Sequence, residues 1–274
     1  MKEVTILSGK GGTGKTSVTA ALASLAKDVI LCDNDVDASN LHLILNPKPT
    51  EIHTFLSGWE ACIDQLRCTK CGLCQSLCNF SAIEGNQSKG FFINKYQCEG
   101  CRLCERMCPS GAISSNQNKN NQWLLSDTRL GKLIHAKMQP GEDNSGKLVT
   151  HIRKKAREVA EKDTARWIIN DGPPGIGCPV IASLSGTDLA IIVTEPSASA
   201  LHDAQRLIEL IKQFNLPVLA IINKCDINPN ISSGLKSLFS KNTIPVIGEI
   251  PFNKSIVSAM ILKKQSLNMH LIQI

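Results

Sequence analysis

The chain has 274 residues, of which 42% are hydrophobic and 20% are charged, and its formal net charge is +6. This length and composition exclude a disordered protein and allow a full-sized apolar core. No leader-like segment and no run of about 18 apolar residues follows Met1, so we expect a cytoplasmic protein without a membrane span. Thiols stay reduced in that compartment, and the 12 cysteines are therefore expected to be metal ligands or reactive groups rather than disulfides.

The amino-terminal part of the chain predicts a strand, a loop, a helix and a second strand. An apolar run at residues 4–7 leads into a glycine-rich segment at 9–16. A helical pattern follows at 17–27, and a second apolar run at 29–32. This order is typical of a βαβ unit, which begins a parallel sheet.

Further apolar runs in the second half of the chain continue this alternation. They lie at 167–169, 189–193, 218–222 and 246–250, with gaps long enough for crossover helices. Unbroken apolar runs are typical of strands that are buried on both faces. We therefore predict an α/β fold with a mostly parallel sheet and helices on both faces.

Residues 125–165 resume the large domain. Residues 132–138 are strand-like, and residues 146–162 form a basic amphipathic helix. We expect its basic side chains to form a solvated face, with contacts to phosphates or to an acidic partner as the alternative. These side chains are Arg153, Lys154, Lys155 and Arg157.

Between Pro47 and about Asn121 the alternation stops, and a short unit is repeated. The cysteines of the first copy recur thirty positions later in the second copy. The segment around Pro47 and Pro49 and the polar stretch 114–122 are interpreted as linkers. We therefore predict an inserted domain at 58–116 between two parts of the large domain, 1–57 and 117–274.

Residues 9–16 read G-K-G-G-T-G-K-T, which fits the phosphate-binding pattern G-x-x-x-x-G-K-[ST] between a strand and a helix. The glycines let backbone N–H groups surround phosphate oxygens, and the helix dipole favours the anion. Lys15 is expected to contact the β and γ phosphates and Thr16 to bind Mg²⁺. The alternative is a glycine-rich turn without a ligand. The predicted phosphate-binding residues are Gly11, Gly12, Thr13, Gly14, Lys15, Thr16 and Ser17.

Both cysteine runs show the spacing C-x2-C-x2-C-x3-C, which resembles that of bacterial two-cluster ferredoxins. The resemblance implies that the fourth cysteine of each run crosses to the other [4Fe-4S] cluster. Zinc bound by four thiolates is the alternative. Asn79 departs from the pattern, because proline is usual after the fourth cysteine. The implied ligand sets are Cys68, Cys71, Cys74 and Cys108 for one cluster, and Cys98, Cys101, Cys104 and Cys78 for the other.

The segment Lys10-Gly-Gly-Thr-Gly-Lys15-Thr16 resembles the deviant Walker A loop of the MinD, ParA, Mrp and nitrogenase iron protein ATPases. This resemblance implies a P-loop ATPase domain that dimerises on ATP, with itself or with a close paralogue. It also implies that Lys10 reaches the nucleotide of the partner subunit.

Acidic residues after two strands resemble the switch regions of these ATPases. Asp35 and Asp37 are candidates for positioning the attacking water, and which of them does so is open. Asp171 is expected to hold Mg²⁺ through water, and Gly175 to sense the γ phosphate. A capping role is the alternative, and it is strongest for Asp33.

The adenine site is also implied by the resemblance. Asn223, after a later strand, is similar to the asparagine that contacts the base in this family. Pro251 and Phe252 are expected to form a wall for the base. A turn-forming role is the alternative for Asn223.

Cys178 lies seven residues after Asp171, an offset at which the nitrogenase iron protein has a cluster-binding cysteine. This chain has no second cysteine between Cys108 and Cys178, so we do not predict a bridging cluster of that kind. Two Cys178 thiolates across a dimer remain a weaker hypothesis for metal binding. Cys32, Cys62 and Cys225 are interpreted as packed or incidental thiols.

The whole chain resembles MinD/Mrp-type ATPases with an inserted α+β two-cluster ferredoxin domain. The expected cofactors are ATP, Mg²⁺ and two [4Fe-4S] clusters. Filled clusters would lower the net charge to about +2, so no nucleic acid partner is expected. No membrane partner is expected either, since residues 255–274 show no convincing amphipathic helix.

Three functions follow from the resemblance. The first is ATP-gated electron transfer to a metalloprotein. The second is a scaffold or carrier for metallocofactor assembly. The third is spatial organisation, as in MinD or ParA, and it is disfavoured by the carboxyl-terminal sequence.

Overall fold

The chain forms two compact units in the computed structural model, which describes residues 1–138 and 145–254. The sheet unit comprises Met1–His53, Trp123–Lys137 and the described residues from Ser145 onward. The cysteine unit consists chiefly of Thr54–Gln122, a range that contains the predicted insert. Residues 255–274, in which we expect no amphipathic helix, lie outside the described part of the chain.

The strands and helices largely alternate along the sheet unit, and the elements that lie wholly within the cysteine unit are four or five residues long. The strands are β1 Lys2–Ser8, β2 Val29–Asp33, β3 Lys48–Ile63, β4 Ile83–Asn86, β5 Gly90–Ile93, β6 Ile113–Asp127, β7 Gly131–Lys137, β8 Trp167–Pro174, β9 Leu189–Thr194, β10 Val218–Asn223 and β11 Val246–Ile250. The helices are α1 Lys15–Leu25, α2 Leu41–Leu45, α3 Leu73–Leu77, α4 Leu103–Arg106, α5 Ser145–Lys162, α6 Cys178–Leu184, α7 Ala200–Lys212 and α8 Pro229–Lys241. No helix among the described residues has the length and apolar character needed to cross a bilayer.

The main sheet has the strand order β11-β10-β9-β1-β8-β2-β7-β6-β3, and neighbouring strands from β11 to β7 are parallel. Alternate residues of its strands pack on opposite faces. Ile191 and Ile221 belong to an apolar cluster that includes residues of α1. Ile192 and Ile222 belong to a second cluster with residues of α6, α7 and α8. The predicted α/β fold, with a mostly parallel sheet covered on both faces, is therefore confirmed.

The two segments interpreted as linkers are strands instead, and that interpretation was wrong. Pro49 lies near the start of β3, the last strand in the sheet order, and proline is tolerated at such an edge. The polar stretch 114–122 belongs to β6, in which Asn118 and Asn121 are buried. Asn118 Nδ2 donates a hydrogen bond to Glu60 Oε1 of β3 at 3.2 Å. Polar side chains that bind one another can therefore occupy a strand that composition alone assigns to a linker.

The basic face of α5 is partly internal, which contradicts the expectation of a solvated face. Arg153 is only 3% exposed, and its guanidinium binds the buried Glu3 carboxylate of β1, with Nε at 2.9 Å. Arg157 Nε binds the other oxygen of Glu3 at 2.7 Å. Asn170 of β8 also donates to Glu3, at 2.8 Å. These arginines fix α5 to the sheet, because a buried carboxylate must be paired.

Candidate functional site

The candidate catalytic residues lie at the carboxyl ends of neighbouring parallel strands. The loop of residues 9–16 follows β1, and the acidic segment follows β2. In the register of β8, Asp171 lies beside Ile6 of β1 and Asp33 of β2. Since the carboxyl ends of parallel strands meet at one edge of a sheet, these segments converge there.

The glycine-rich loop has the backbone conformation of an anion-binding loop. Gly12 and Gly14 have φ angles of 83° and 86°, in the left-handed region that favours glycine. A Cβ at Gly14 would lie 2.3 Å from Asn223 Nδ2, so this position also lacks room for a side chain. The helix α1 begins at Lys15, and no side chain caps its first turn. Its amino-terminal N–H groups therefore face the loop and can donate hydrogen bonds to an anion.

The Asp171 carboxylate accepts three hydrogen bonds from side chains at the end of the loop and in the first turns of α1. Its Oδ1 accepts from Lys15 Nζ at 2.8 Å and from Thr19 Oγ1 at 2.8 Å. Its Oδ2 accepts from Thr16 Oγ1 at 2.7 Å. The predicted metal-binding residues Thr16 and Asp171 are thus brought together. Lys15 is held by the carboxylate that a metal ion would engage.

The Lys15 ammonium group lies beside the carboxylates of Asp171 and Asp35, and its charge also acts on Asp33. Asp35 Oδ2 lies 3.7 Å from Lys15 Nζ. Burial, reinforced by the Asp171 charge, raises the pKa of Asp33 to about 7. Burial also raises the pKa of Asp35 to about 6, against the opposing charge of Lys15. A bound Mg²⁺ would favour the ionised form of these buried carboxylates, and oxygen donors of this kind suit Mg²⁺.

Asp33 and Asp35 differ in their hydrogen bonds. Asp33 accepts from Ser39 Oγ at 2.7 Å and from the Leu41 N–H at 3.2 Å, as expected for a carboxylate that caps the start of α2. Asp35 lines the adjoining cleft. Asp37 is exposed and is not among the described residues that line it. The geometry favours Asp35 over Asp37 as the water-positioning candidate.

An open cleft of ≈ 560 Å³ adjoins the loop and has the residues needed for a nucleotide. The Thr13 hydroxyl is buried there without a hydrogen-bond partner among the described residues. Asn223 Nδ2 donates to the Thr13 carbonyl at 2.8 Å, so its amide is already engaged with the loop. The lining includes all the predicted loop residues from Gly11 to Ser17 and the three predicted base contacts Asn223, Pro251 and Phe252.

The two halves of the cysteine unit exchange equivalent hydrogen bonds. The Asp64 N–H donates to the Ala112 carbonyl at 2.8 Å, and the Asn94 N–H donates to the Ala82 carbonyl at 2.8 Å. Asp64 and Asn94 are thirty positions apart, as are Ala82 and Ala112. The start of each repeat is therefore bound to the end of the other.

The eight repeat cysteines surround two cavities, four around each. These are the two sets implied by the ferredoxin resemblance, including the exchanged fourth cysteines. One cavity is lined by Cys68, Cys71, Cys74 and Cys108, and the other by Cys78, Cys98, Cys101 and Cys104.

The arrangement of the cysteine thiols bears on whether each site suits a single zinc ion or a [4Fe-4S] cluster. A zinc site needs four donors that converge at about 2.3 Å on a single ion. Among residues 1–138 and 145–254, no three Cys, His, Asp or Glu side chains are placed to hold one ion. In a [4Fe-4S] cluster the four thiolates bind four different irons, so they are spread around the cluster and do not converge on one ion. Four cysteines around each cavity match the number of thiolate ligands that a [4Fe-4S] cluster takes.

Local hydrogen bonds favour the thiolate form of one exchanged cysteine. Burial acts to raise the pKa of Cys108, but hydrogen bonds from the Ser110 hydroxyl and from backbone N–H groups outweigh it and lower the pKa. The Ala112 N–H lies 3.3 Å from Cys108 Sγ. Burial instead raises the pKa values of Cys74 and Cys104, and neighbouring cysteines add to this effect. A cation bound among these cysteines would favour their thiolate form.

Residues 4–266 match the family model described as the CobQ/CobB/MinD/ParA nucleotide binding domain. This match covers most of the chain. The chain belongs to this family. Its α/β fold with a mostly parallel sheet is similar to the folds of MinD and ParA proteins.

Individual relatives agree with this assignment. An uncharacterised protein of Methanocaldococcus jannaschii, MJ0578, is 37% identical over 91% of this chain and 86% of its own length. The septum site-determining protein MinD of Pyrococcus horikoshii, solved with Mg-ADP, has a similar fold, with a TM-score of 0.53 and 20% identity over 96% of this chain and 86% of that one. An iron-sulfur cluster carrier protein of Rickettsia felis is 35% identical over 37% of this chain and 32% of its own length.

Lys10, the lysine that marks the deviant MinD-type loop, contacts residues that the sequence did not single out. Its Nζ lies 3.1 Å from Glu195 Oε1 and 2.6 Å from Ser197 Oγ. Glu195 directly follows β9 and also binds Lys224 Nζ, at 2.6 Å. Its position after a parallel strand was a usable signal, because such residues reach the same edge as the loop.

Cys178 is exposed at the first residue of α6, and the MinD-type fold alone assigns it no ligand. Metal binding by two Cys178 thiolates across a dimer stays a prediction. Cys32 is fully buried, and burial raises its pKa well above the usual value, as expected for a packed thiol. Cys62 is exposed and Cys225 is half-buried.

Proposed function

We propose that this protein is an ATP-hydrolysing iron-sulfur protein. In this proposal, closure of a nucleotide-bound dimer is coupled to electron transfer through two [4Fe-4S] clusters towards a metalloprotein. The observation that carries the proposal is the occurrence in one chain of a nucleotide cleft and two four-cysteine shells. Neither feature alone would suggest the coupling.

The nucleotide half of the mechanism begins with the release of Lys15. In the described structure this lysine is paired with Asp171, so ATP binding must draw its ammonium group to the phosphates. Asp171 and the Thr16 hydroxyl then become free to bind Mg²⁺, with Asp171 acting through water. Asp35, close to Lys15, orients the attacking water.

The cysteine half supplies one-electron chemistry when its clusters are bound. The residues that would hold them are the two crossed sets of four cysteines that line the two cavities. Cys71 and Cys101 are exposed, which gives each shell an edge towards solvent. An electron acceptor can approach such an edge closely.

Anaerobic reconstitution tests this proposal. The reconstituted protein should contain about eight irons and about eight sulfides per chain, as two [4Fe-4S] clusters require, and it should release phosphate from ATP. Electron transfer from the reduced protein to a metalloprotein acceptor should differ between ATP, ADP and no nucleotide. A Lys15→Ala variant should keep its iron and lose the nucleotide effect, and equal rates in all three wild-type conditions would contradict gating.

A second candidate is a carrier for iron-sulfur or other metallocofactors. The partial similarity to the Rickettsia felis carrier protein favours it. A carrier should pass its iron and sulfide to an apo acceptor and lose its own absorbance in the process. Clusters that are retained during electron transfer favour the first candidate.

A further inference from the structure

Lys10 is held inside its own subunit by a small charged cluster. The cluster consists of Lys10, Glu195, Ser197 and Lys224. Glu195 bridges the two lysines, with Oε1 3.1 Å from Lys10 Nζ and Oε2 2.6 Å from Lys224 Nζ. Ser197 Oγ accepts a further hydrogen bond from Lys10 at 2.6 Å.

The same cluster is tied to the phosphate loop. Lys224 Nζ donates to the Gly12 carbonyl at 3.0 Å, while Lys10 lies at the start of that loop. The side chains of Lys10, Glu195 and Lys224 are 30%, 17% and 27% exposed, so their charges are partly shielded from water. Partial burial strengthens ion pairs relative to those at a fully solvated surface.

Glu195 remains ionised in this setting. Burial acts to raise its pKa, but hydrogen bonds from Lys224 and Lys10 outweigh burial and lower the pKa. If Lys10 leaves, Lys224 continues to compensate the carboxylate. The release of Lys10 therefore does not leave an unpaired, partly buried charge, which would be far more costly.

The contact conflicts with the role that the family resemblance implies for Lys10. A lysine that reaches the nucleotide of the partner subunit cannot also keep its ammonium group 3.1 Å from Glu195 of its own subunit. Closure must therefore break this contact once in each subunit.

We propose that Glu195 is a positioning residue that holds Lys10 within its own subunit and so opposes dimer closure until ATP is bound. This inference rests on the proposed ATP-dependent dimer. The ATP phosphates of the partner subunit compete with the Glu195 carboxylate for the same ammonium group. A nucleotide without a γ phosphate competes less well, which makes closure selective for ATP.

Glu195→Gln tests the proposal, because the amide keeps the shape of the side chain and removes its charge. Dimerisation is measured by sedimentation with a non-hydrolysable ATP analogue and Mg²⁺, and ADP affinity by titration of the monomer. We expect the dimer dissociation constant to fall about tenfold, since two modest ion pairs are released per dimer. ADP affinity should not change. An unchanged dimer constant, or weaker ADP binding, would overturn the proposal in favour of a structural role in the loop.

Two controls assign the effect to the Lys10 contact. Glu158→Gln removes a comparable ion pair with Lys155, at 2.8 Å on the exposed face of α5, and should leave dimerisation unchanged. In a Lys10→Ala background, Glu195→Gln should have no further effect on the dimer constant. An equal effect with and without Lys10 would refute the assignment.

A readout that does not require the dimer separates this inference from the proposed function. An amine-modifying reagent should label Lys10 several-fold faster in nucleotide-free Glu195→Gln than in the wild type, as quantified by mass spectrometry. If the wild type never dimerises with ATP but Lys10 labels faster in the variant, the ATP-dependent dimer fails and the restraint on Lys10 stands. Equal labelling rates would show that Glu195 does not restrain Lys10.

Discussion

Continuous apolar clusters cover both faces of the sheet in the sheet unit, and they contain buried side chains from strands and helices alike. The buried cluster of the cysteine unit contains Ile63, Ile83, Phe91 and Ile113, and cysteines make up much of its partly buried surroundings. The difference indicates two sources of stability. Apolar burial stabilises the sheet unit, whereas we expect the cysteine unit to depend on the metal groups proposed for it, because so small a core does little to offset the conformational entropy of folding.

The largest expected effect concerns activity in the sheet unit alone. Lys15→Ala removes the ammonium group that pairs with Asp171 and that is expected to contact the phosphates. We expect phosphate release to fall by about 100-fold or more, with the iron content of the cysteine unit unchanged. Lys162→Ala, at the end of α5, is the control and should retain full activity. Loss of iron in Lys15→Ala would contradict the idea that the cysteine unit holds its iron without help from the nucleotide cleft.

Removal of metal should unfold the cysteine unit and leave the sheet unit folded. Cys74→Ser, or a strong chelator applied to the wild type, should abolish the cooperative transition of the cysteine unit. The tryptophans report on the units separately, because Trp59 lies in the cysteine unit and Trp123 and Trp167 lie in the sheet unit. A native Trp59 signal after complete metal removal would show that the small core suffices.

Truncation of a core side chain should destabilise the sheet unit and leave the iron content of the cysteine unit unchanged. Leu207 of α7 is fully buried in the sheet unit, and Leu207→Ala should lower its free energy of unfolding by about 2–5 kcal/mol. The iron content should stay the same. Ile227→Ala, at a residue that is 60% exposed, should cost no more than about 0.5 kcal/mol in the same denaturant titration.

His135 should make the sheet unit less stable in mild acid, whereas the raised pKa values of Asp33 and Asp35 act in the opposite direction. Burial, with smaller contributions from His42 and Lys137, lowers the pKa of His135 to about 4. The unfolded state therefore binds more protons than the folded state between pH 4 and the normal histidine pKa of about 6.5. The contribution of His135 to the free energy of unfolding should fall by up to about 3 kcal/mol as the pH drops through this window. The difference in free energy of unfolding between the wild type and His135→Gln should therefore change with pH by about this amount, and a difference that stays constant would contradict the prediction.

Residues whose chemistry depends on local sequence were predicted best. The loop from Gly11 to Ser17 and the apolar parallel strands carry their patterns in contiguous residues. The structure contains this loop and these strands close to the predicted positions. Contacts between distant residues that belong to no recognised motif could not be predicted. Arg153 pairs with Glu3 across 150 positions, and Lys10 pairs with Glu195 across 185, so no local pattern marks either pair.

The error at β6 has a different physical cause. A polar run such as 114–122 is typical of a linker when each side chain is considered alone. Asn118 instead forms a hydrogen bond with Glu60 of another strand, and Asn121 is buried. The free energy of such a strand depends on its partner, which the composition of the run does not specify.

The reciprocal hydrogen bonds between Asp64 and Ala112, and between Asn94 and Ala82, bear on the origin of the cysteine repeat. Each copy supplies the amide for one bond and the carbonyl for the other, which is the pattern of a self-complementary contact. An ancestral peptide with one copy would thus have needed a second identical molecule to complete either set of four cysteines. Gene duplication and fusion would have turned that assembly into a single covalent body, with both halves always present in equal number.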